Sequence, residues 1–209
     1  MLSFVKTLKS SSQTSLVIMA FYCLLLSPSQ THAFRSNIGF WKGACYLTWT
    51  QQTSTNRAYW GLAASSDLTK AVATVDGGQL YTSSDGGVTW TARDSNRAWR
   101  FVASSSDGTK MLASVTGGYL YTSTDSGATW TQRATSKVWA GLASSSDGTK
   151  LAAAESGQGV WTSTDSGANW TKRATPTADA VASSADGTKL VAGAFNGGVW
   201  TSTDSGVNW

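Results

Sequence analysis

Ser83-Ser84-Asp85-Gly86-Gly87-Val88-Thr89-Trp90 recurs, without a gap, as STDSGATW at 123–130, STDSGANW at 163–170 and STDSGVNW at 202–209. The copies lie 40, 40 and 39 residues apart. A second signature precedes each: SSDLTK at 65–70, SSDGTK at 105–110 and 145–150, and SADGTK at 184–189. Self-similarity at this period marks a structural repeat that buries its apolar faces only by stacking on its neighbours. Within a copy, β-rich runs alternate with Asp-Gly and Gly-Gly turns. The third copy reads as strands over 139–144, 150–154, 160–163 and 170–173. Four antiparallel strands joined by tight turns make one blade.

The fold class expected is therefore all-β, a β-propeller of four-stranded antiparallel blades. Four repeats are seen (59–98, 99–138, 139–177 and 178–209), and they read as an incomplete ring. Trp209 opens a fourth strand, and Leu47-Thr48-Trp49-Thr50-Gln51-Gln52 aligns with the strand after Val88. The segment 34–58 thus holds a possible blade strand at 46–52, belonging to a further blade. The box chemistry is structural. Ser83, Asp85, Gly87 and Trp90, with Ser123, Asp125, Gly127, Trp130, Ser163, Asp165, Gly167, Trp170, Ser202, Asp204, Gly206 and Trp209, form a stapled turn. The aspartate accepts from turn amides, the glycine supplies an unusual backbone conformation, and the indole covers the hairpin.

The pattern Ser/Thr-x-Asp-x-Gly-x-Thr/Asn-Trp resembles the Asp-box, or BNR, repeat of sialidases, sortilin-type receptors, xyloglucanase-type glycosidases and the photosystem II stability/assembly factor. The resemblance covers 59–209 and implies the propeller, while fold alone does not fix function. A sialidase implies an Arg-Ile-Pro stretch, which is absent. A xyloglucanase implies two aspartates facing a cleft, one of which could lie beyond this chain.

The first 33 residues read as a signal peptide: Lys6 and Lys9 without an acid, the apolar run Leu16–Leu26, and a small-residue site at Thr31-His32-Ala33. Eleven apolar residues are about half of a bilayer crossing, so no stable membrane span is expected. Secretion or another extracytoplasmic location follows. Phe34 directly after the cleavage site also resembles a bipartite plastid presequence, with the thylakoid lumen as the alternative. Cys23 leaves with the signal, making Cys45 the one mature cysteine.

The formal charge of +4 falls to +2 without Lys6 and Lys9, from 14 basic and 12 acidic residues. That bias, with no basic stripe, argues against nucleic acid. The one histidine, His32, lies in the signal, and the chain has a single glutamate, Glu155. Neither a metal site nor another cofactor is expected. The acids outside the repeated turns are Asp76, Asp94, Glu155 and Asp179.

A site is expected on the face opposite the boxes, where the strand-four-to-one links (94–98, 134–138, 174–177) and the strand-two-to-three turns vary. There Arg93, Arg133 and Arg173 recur after each box, and Arg97 and Arg100 add charge. They read either as a band for carboxylates or sulfated glycans, or as outer-strand cations repeated with the blade. Tyr59, Trp99 and Trp139 read chiefly as inter-blade core. The functional expectation is a non-catalytic scaffold for a protein or glycan partner. The alternatives are part of an Asp-box glycoside hydrolase, or a photosystem II assembly factor-like protein.

Overall fold

The computed structural model describes residues 56–173 and 177–209. The signal peptide, Cys45 and the strand expected at 46–52 lie outside the described residues. Each repeat folds as a meander. Blade 1 holds β1 (Tyr59–Ala64), β2 (Ala71–Val75), β3 (Gly78–Ser83) and β4 (Thr91–Arg97). Blade 2 holds β5 (Trp99–Ser104), β6 (Met111–Val115), β7 (Gly118–Ser123) and β8 (Thr131–Lys137). Blade 3 holds β9 (Trp139–Ser144), β10 (Leu151–Glu155), β11 (Gly159–Ser163) and β12 (Thr171–Lys172). Blade 4 shows β13 (Ala180–Ser183), β14 (Leu190–Gly193) and β15 (Val199–Ser202). Strands pair in sequence order, all antiparallel, and no helix forms among the described residues.

First strands are innermost: β1 packs on β5, β5 on β9, and β9 on β13. The contact is close enough to demand a small residue. A Cβ on Gly61 would lie 2.6 Å from the Arg100 carbonyl oxygen. Second strands are apolar at consecutive positions because they are covered on both sides. Met111 and Ala113 of β6 join Val72, Leu80, Trp99 and Tyr121 between blades 1 and 2. Leu112, between them in sequence, joins Leu120, Trp139, Leu151 and Ala153 between blades 2 and 3. Trp99 and Trp139 are buried in these clusters, as inter-blade core, whereas Tyr59 of blade 1 is exposed.

Successive blades are also linked through the backbone. Ser66 N–H donates to the Ser106 carbonyl at 2.7 Å, Ser106 N–H to Ser146 at 2.8 Å, and Ser146 N–H to Ala185 at 2.7 Å. These bonds leave from the turns of the second signature, where glycine is needed. Gly108 and Gly148 have φ of +66° and +64°, and a Cβ there would meet Lys70 and Lys110 of the preceding blade within 3 Å.

The links differ from expectation. Residues 94–97 and 134–137 belong to β4 and β8, so each link is one residue, Ala98 or Val138. The polar composition of these stretches reads as loop. In fact β4 continues past an irregularity in which Leu80 pairs with Arg93 but Gly78 with Arg97. Asp94 and Ala134 sit in the left-handed region there, at φ +56° and +55°.

Candidate functional site

The Asp boxes are closed hydrogen-bond circuits. In blade 1, Ser83 Oγ donates to Asp85 Oδ1 at 2.8 Å and accepts from Gly87 N–H at 2.8 Å. Asp85 accepts from Thr89 N–H at 2.9 Å and Thr89 Oγ1 at 2.6 Å. Trp90 Nε1 donates to the Gly87 carbonyl at 2.8 Å. The circuit recurs around Asp125, Asp165 and Asp204. Bonds from Thr89 hold the Asp85 carboxyl down at about 2. Bonds from the Asn169 and Asn208 amides do the same for Asp165 and Asp204, also about 2. Carboxylates this saturated and this acidic are poor general acids and bases near neutral pH.

The second signature repeats the device. Asp67 and Asp107 accept from Ser65 and Ser105 hydroxyls at 2.6 Å and from the threonine two residues on, and both titrate at about 2.

The arginines divide into three environments. Arg93, Arg133 and Arg173 are half-buried, and their Nε atoms donate to Thr82, Thr122 and Thr162 at 3.0, 3.1 and 2.6 Å. Thr82 and Thr122 are the side chains against which Gly127 and Gly167 of the following blade pack. These three arginines therefore sit at the blade seams.

Arg97 lies over Tyr121 at 4.8 Å from the ring centroid, with Asp94 at 3.6 Å. Arg57 stands over Tyr81 at 4.2 Å and Lys137 over Trp161 at 4.9 Å. One contact thus recurs three times: a cation just before an inner strand covers the aromatic ring of that blade's third strand. Sequence reasoning missed it because the partners are 24 residues apart, although the constant offset from 57 to 81, 97 to 121 and 137 to 161 was available as a signal.

Arg100 is different. Its guanidinium lies over the Trp60 ring at 4.3 Å and 5.6 Å from Phe101. No hydrogen bond or ion pair engages it among the described residues. Trp60, Arg100 and Ala140 are the second positions of β1, β5 and β9, and Asp179, just before β13, is their counterpart in the fourth repeat. Four unlike residues stand there, at the link end of the innermost strands, while the boxes hardly vary. Trp60 is half exposed, at 54%. A flat guanidinium fixed on an indole, with its donors open, suits a carboxylate or sulfate.

The irregular acids are mostly tied down. Glu155 accepts from Trp161 Nε1 at 2.7 Å and pairs with Lys137 at 3.1 Å and Lys172 at 3.8 Å. Burial pushes its carboxyl up, but the Trp161 and Lys137 bonds outweigh it and the net shift is downward. Asp179 accepts from Phe195 N–H, Ser156 Oγ and Gly157 N–H and is likewise lowered. Among the described residues no group of three or more His, Cys, Asp or Glu is placed to hold a metal ion. No described helix is long and apolar enough to cross a membrane, which says nothing of a β-barrel.

Solved structures with the same blade arrangement are found at high probability. A GH74 enzyme of Niastella koreensis superposes with a TM-score of 0.57 at 26% identity, over 72% of this chain and 24% of its own. The GH74 xyloglucanase of Xanthomonas campestris gives 0.59 at 20%, over 86% and 29%. YCF48 bound to a D1 peptide gives 0.53 at 17%, over 70% and 54%. The fold is a β-propeller of the GH74 and YCF48 type. This propeller chain spans about a quarter of the length of the GH74 chains and about half of the YCF48 chain. No protein-family model and no curated protein matches it.

Proposed function

We propose that this propeller is an extracytoplasmic binding scaffold without catalytic activity, and that Arg100 on Trp60 is the centre of its ligand face. The open guanidinium over the indole carries this reading. It sits at the one repeat position, at the start of the inner strands, where all four repeats differ, on a frame that otherwise repeats itself. The ligand class that fits is a carboxylate-bearing partner, an acidic peptide before an acidic glycan, because a peptide terminus or side chain offers the planar oxygen pair that a guanidinium fork engages. The YCF48 neighbour, solved with a D1 peptide, supports a protein partner. The engagement of Glu155 and Asp179 supports binding over glycoside hydrolysis, which needs an acid and a base free to exchange protons. The signal-like segment 1–33 supports delivery across a membrane. Imaging a fusion of that segment distinguishes the cell exterior from a plastid lumen.

Titration against an array of acidic peptides tests the site. Arg100→Ala should weaken the tightest binder by about tenfold, the order of 1.4 kcal/mol, and flatten its salt dependence. Arg93→Ala, Arg133→Ala and Arg173→Ala together should lower Tm and leave the affinity standing. Unchanged affinity in Arg100→Ala sinks this reading. Hydrolysis of xyloglucan by the chain would replace it with the enzyme alternative.

A further inference from the structure

The inner strands of blades 1 and 2 are bulged where Trp60 and Arg100 stand. In blade 1, Tyr59 pairs with Val75 and Leu62 with Ala73, so Trp60 and Gly61 together face the single residue Thr74. In blade 2, Trp99 pairs with Val115 and Val102 with Ala113, so Arg100 and Phe101 together face Ser114. A bulge adds a residue to one strand, interrupts the ladder and re-aims a side chain. It also leaves a backbone N–H without its ladder partner, and a buried one must find another acceptor. Here the acceptor is the hydroxyl opposite. Thr74 Oγ1 takes Gly61 N–H at 2.7 Å, and Ser114 Oγ takes Phe101 N–H at 3.2 Å. Thr74 and Ser114 are both fully buried.

Thr74 does more than close its own bulge. Its Oγ1 donates across the seam to the Arg100 carbonyl of blade 2 at 2.7 Å, with the Gly61 carbonyl farther off at 3.4 Å. One buried hydroxyl therefore joins the backbone next to Trp60 to the backbone of Arg100. The approach is tight. A Cβ on Gly61 would lie 3.0 Å from Thr74 Oγ1 as well as 2.6 Å from that carbonyl. The same two strands carry the stacked pair, with the Arg100 guanidinium 4.3 Å from the Trp60 ring centroid. Among the described residues no second-strand hydroxyl crosses either later seam. Ala154 and Gly193 hold the equivalent positions, and in blade 3 Ala154 pairs directly with Gly141 in the ladder. The crossing bond is thus confined to the seam that bears the pair.

We propose that Thr74 is the positioning residue of the ligand face: its hydroxyl, shared between two blades, holds the Trp60 ring against the Arg100 guanidinium. The inference rests on the reading of that pair as the ligand face. Thr74 touches no ligand and acts through the backbone of its two partners. A cation gains from an aromatic ring only within about 6 Å of the centroid, so a slip of β1 against β5 undoes the stack. A guanidinium already fixed in its bound orientation also loses less side-chain freedom when a carboxylate arrives.

Nitrogen-edited NMR of the arginine side chains in the full chain reads the pair without any ligand. The Trp60 ring current should move the Arg100 Hε resonance upfield, and Arg100→Lys identifies that resonance by removing it. The upfield shift should vanish in Thr74→Val, which keeps the shape and removes the hydroxyl, and persist in Thr74→Ser. Thr74→Ala, which also lacks the hydroxyl, decides the matter should Thr74→Val not fold. Affinity for the tightest acidic peptide should fall about tenfold in Thr74→Val, within what a lost cation–π contact accounts for, and recover in Thr74→Ser. Gly167→Ala strains another seam, with its Cβ 2.7 Å from Thr122 Cγ2, and should alter neither readout, which separates positioning from a general loss of stability. An Arg100 shift that stays when the hydroxyl is removed, or that is lost equally in Thr74→Ser, overturns the proposal. A shift lost while the affinity stands keeps Thr74 as the pin of the pair and overturns the ligand reading instead.

Discussion

Single residues in this propeller are constrained chiefly by what the adjacent blade brings within reach. Gly127 and Gly117 make the contrast plain. Both have positive φ, +79° and +61°, but a Cβ on Gly127 would stand 2.6 Å from Thr82 Cγ2, while one on Gly117 meets nothing within 4 Å. Gly117→Ala should cost about 1 kcal/mol, the backbone penalty alone. Gly127→Ala adds overpacking at a seam and should cost about 1–3 kcal/mol more. Thermal denaturation of the two variants measures the difference, and equal losses would mean that the seam gives way freely. The sequence shows both glycines as members of a repeated turn, and the box glycine's role within its own hairpin is plain from the motif. Its second role, against Thr82, depends on a residue 45 positions away that no local pattern announces. The same applies to Arg93, whose tether to Thr82 turns an apparent surface cation into part of the seam.

Among the elements, second strands are equivalent in pairing and unequal in packing. The cluster between blades 1 and 2 holds Trp99, Tyr121, Met111 and Leu80, with Trp99 edge-on to Tyr121 at 5.0 Å. The one between blades 3 and 4 is built on Ala143, Ala152, Ala154, Ala178 and Ala192, with Val160 and Leu190. Larger apolar side chains remove more area from water, about 25 cal/mol per Å², so the final junction is the weaker. Stability in a repeat array is close to a sum of such neighbour terms. Hydrogen exchange should therefore open β14 well before β6, and slower exchange in β14 would refute that ranking. The strand order was legible in the turns, since Asp-Gly and Gly-Gly pairs fall where hairpins reverse. The tails of β4 and β8 were not, because a strand interrupted at Asp94 or Ala134 reads as polar loop until its partner strand is seen.

At the scale of the whole molecule, one kind of group answers to acid. Asp67, Asp85, Asp107, Asp125, Asp165 and Asp204 all titrate at about 2, and Asp147 and Asp186 lower still. For Asp125 burial opposes the shift and the Thr129 bonds overcome it. For Asp147 and Asp186 the hydroxyls of Ser145 and Ser184 lead. A carboxyl depressed in the folded state contributes stability that is complete above its unfolded pKa of about 3.9 and is lost as pH falls through the folded value. Tm should thus be flat above about pH 5 and drop between about pH 4 and 2. Differential scanning calorimetry across that interval checks it, and a fall already complete by about pH 4 would count against depressed carboxyls in the turns.

The blade seams have a bearing on how such a gene changes. Ser66 bonds to Ser106 and Ser106 to Ser146, each contact 40 residues apart. Unequal crossing-over between two repeats would insert or delete one full period and leave these backbone links in place. A change of blade number by that route would keep these backbone links but would bring unlike cores together, the aromatic one between blades 1 and 2 and the alanine-rich one between blades 3 and 4.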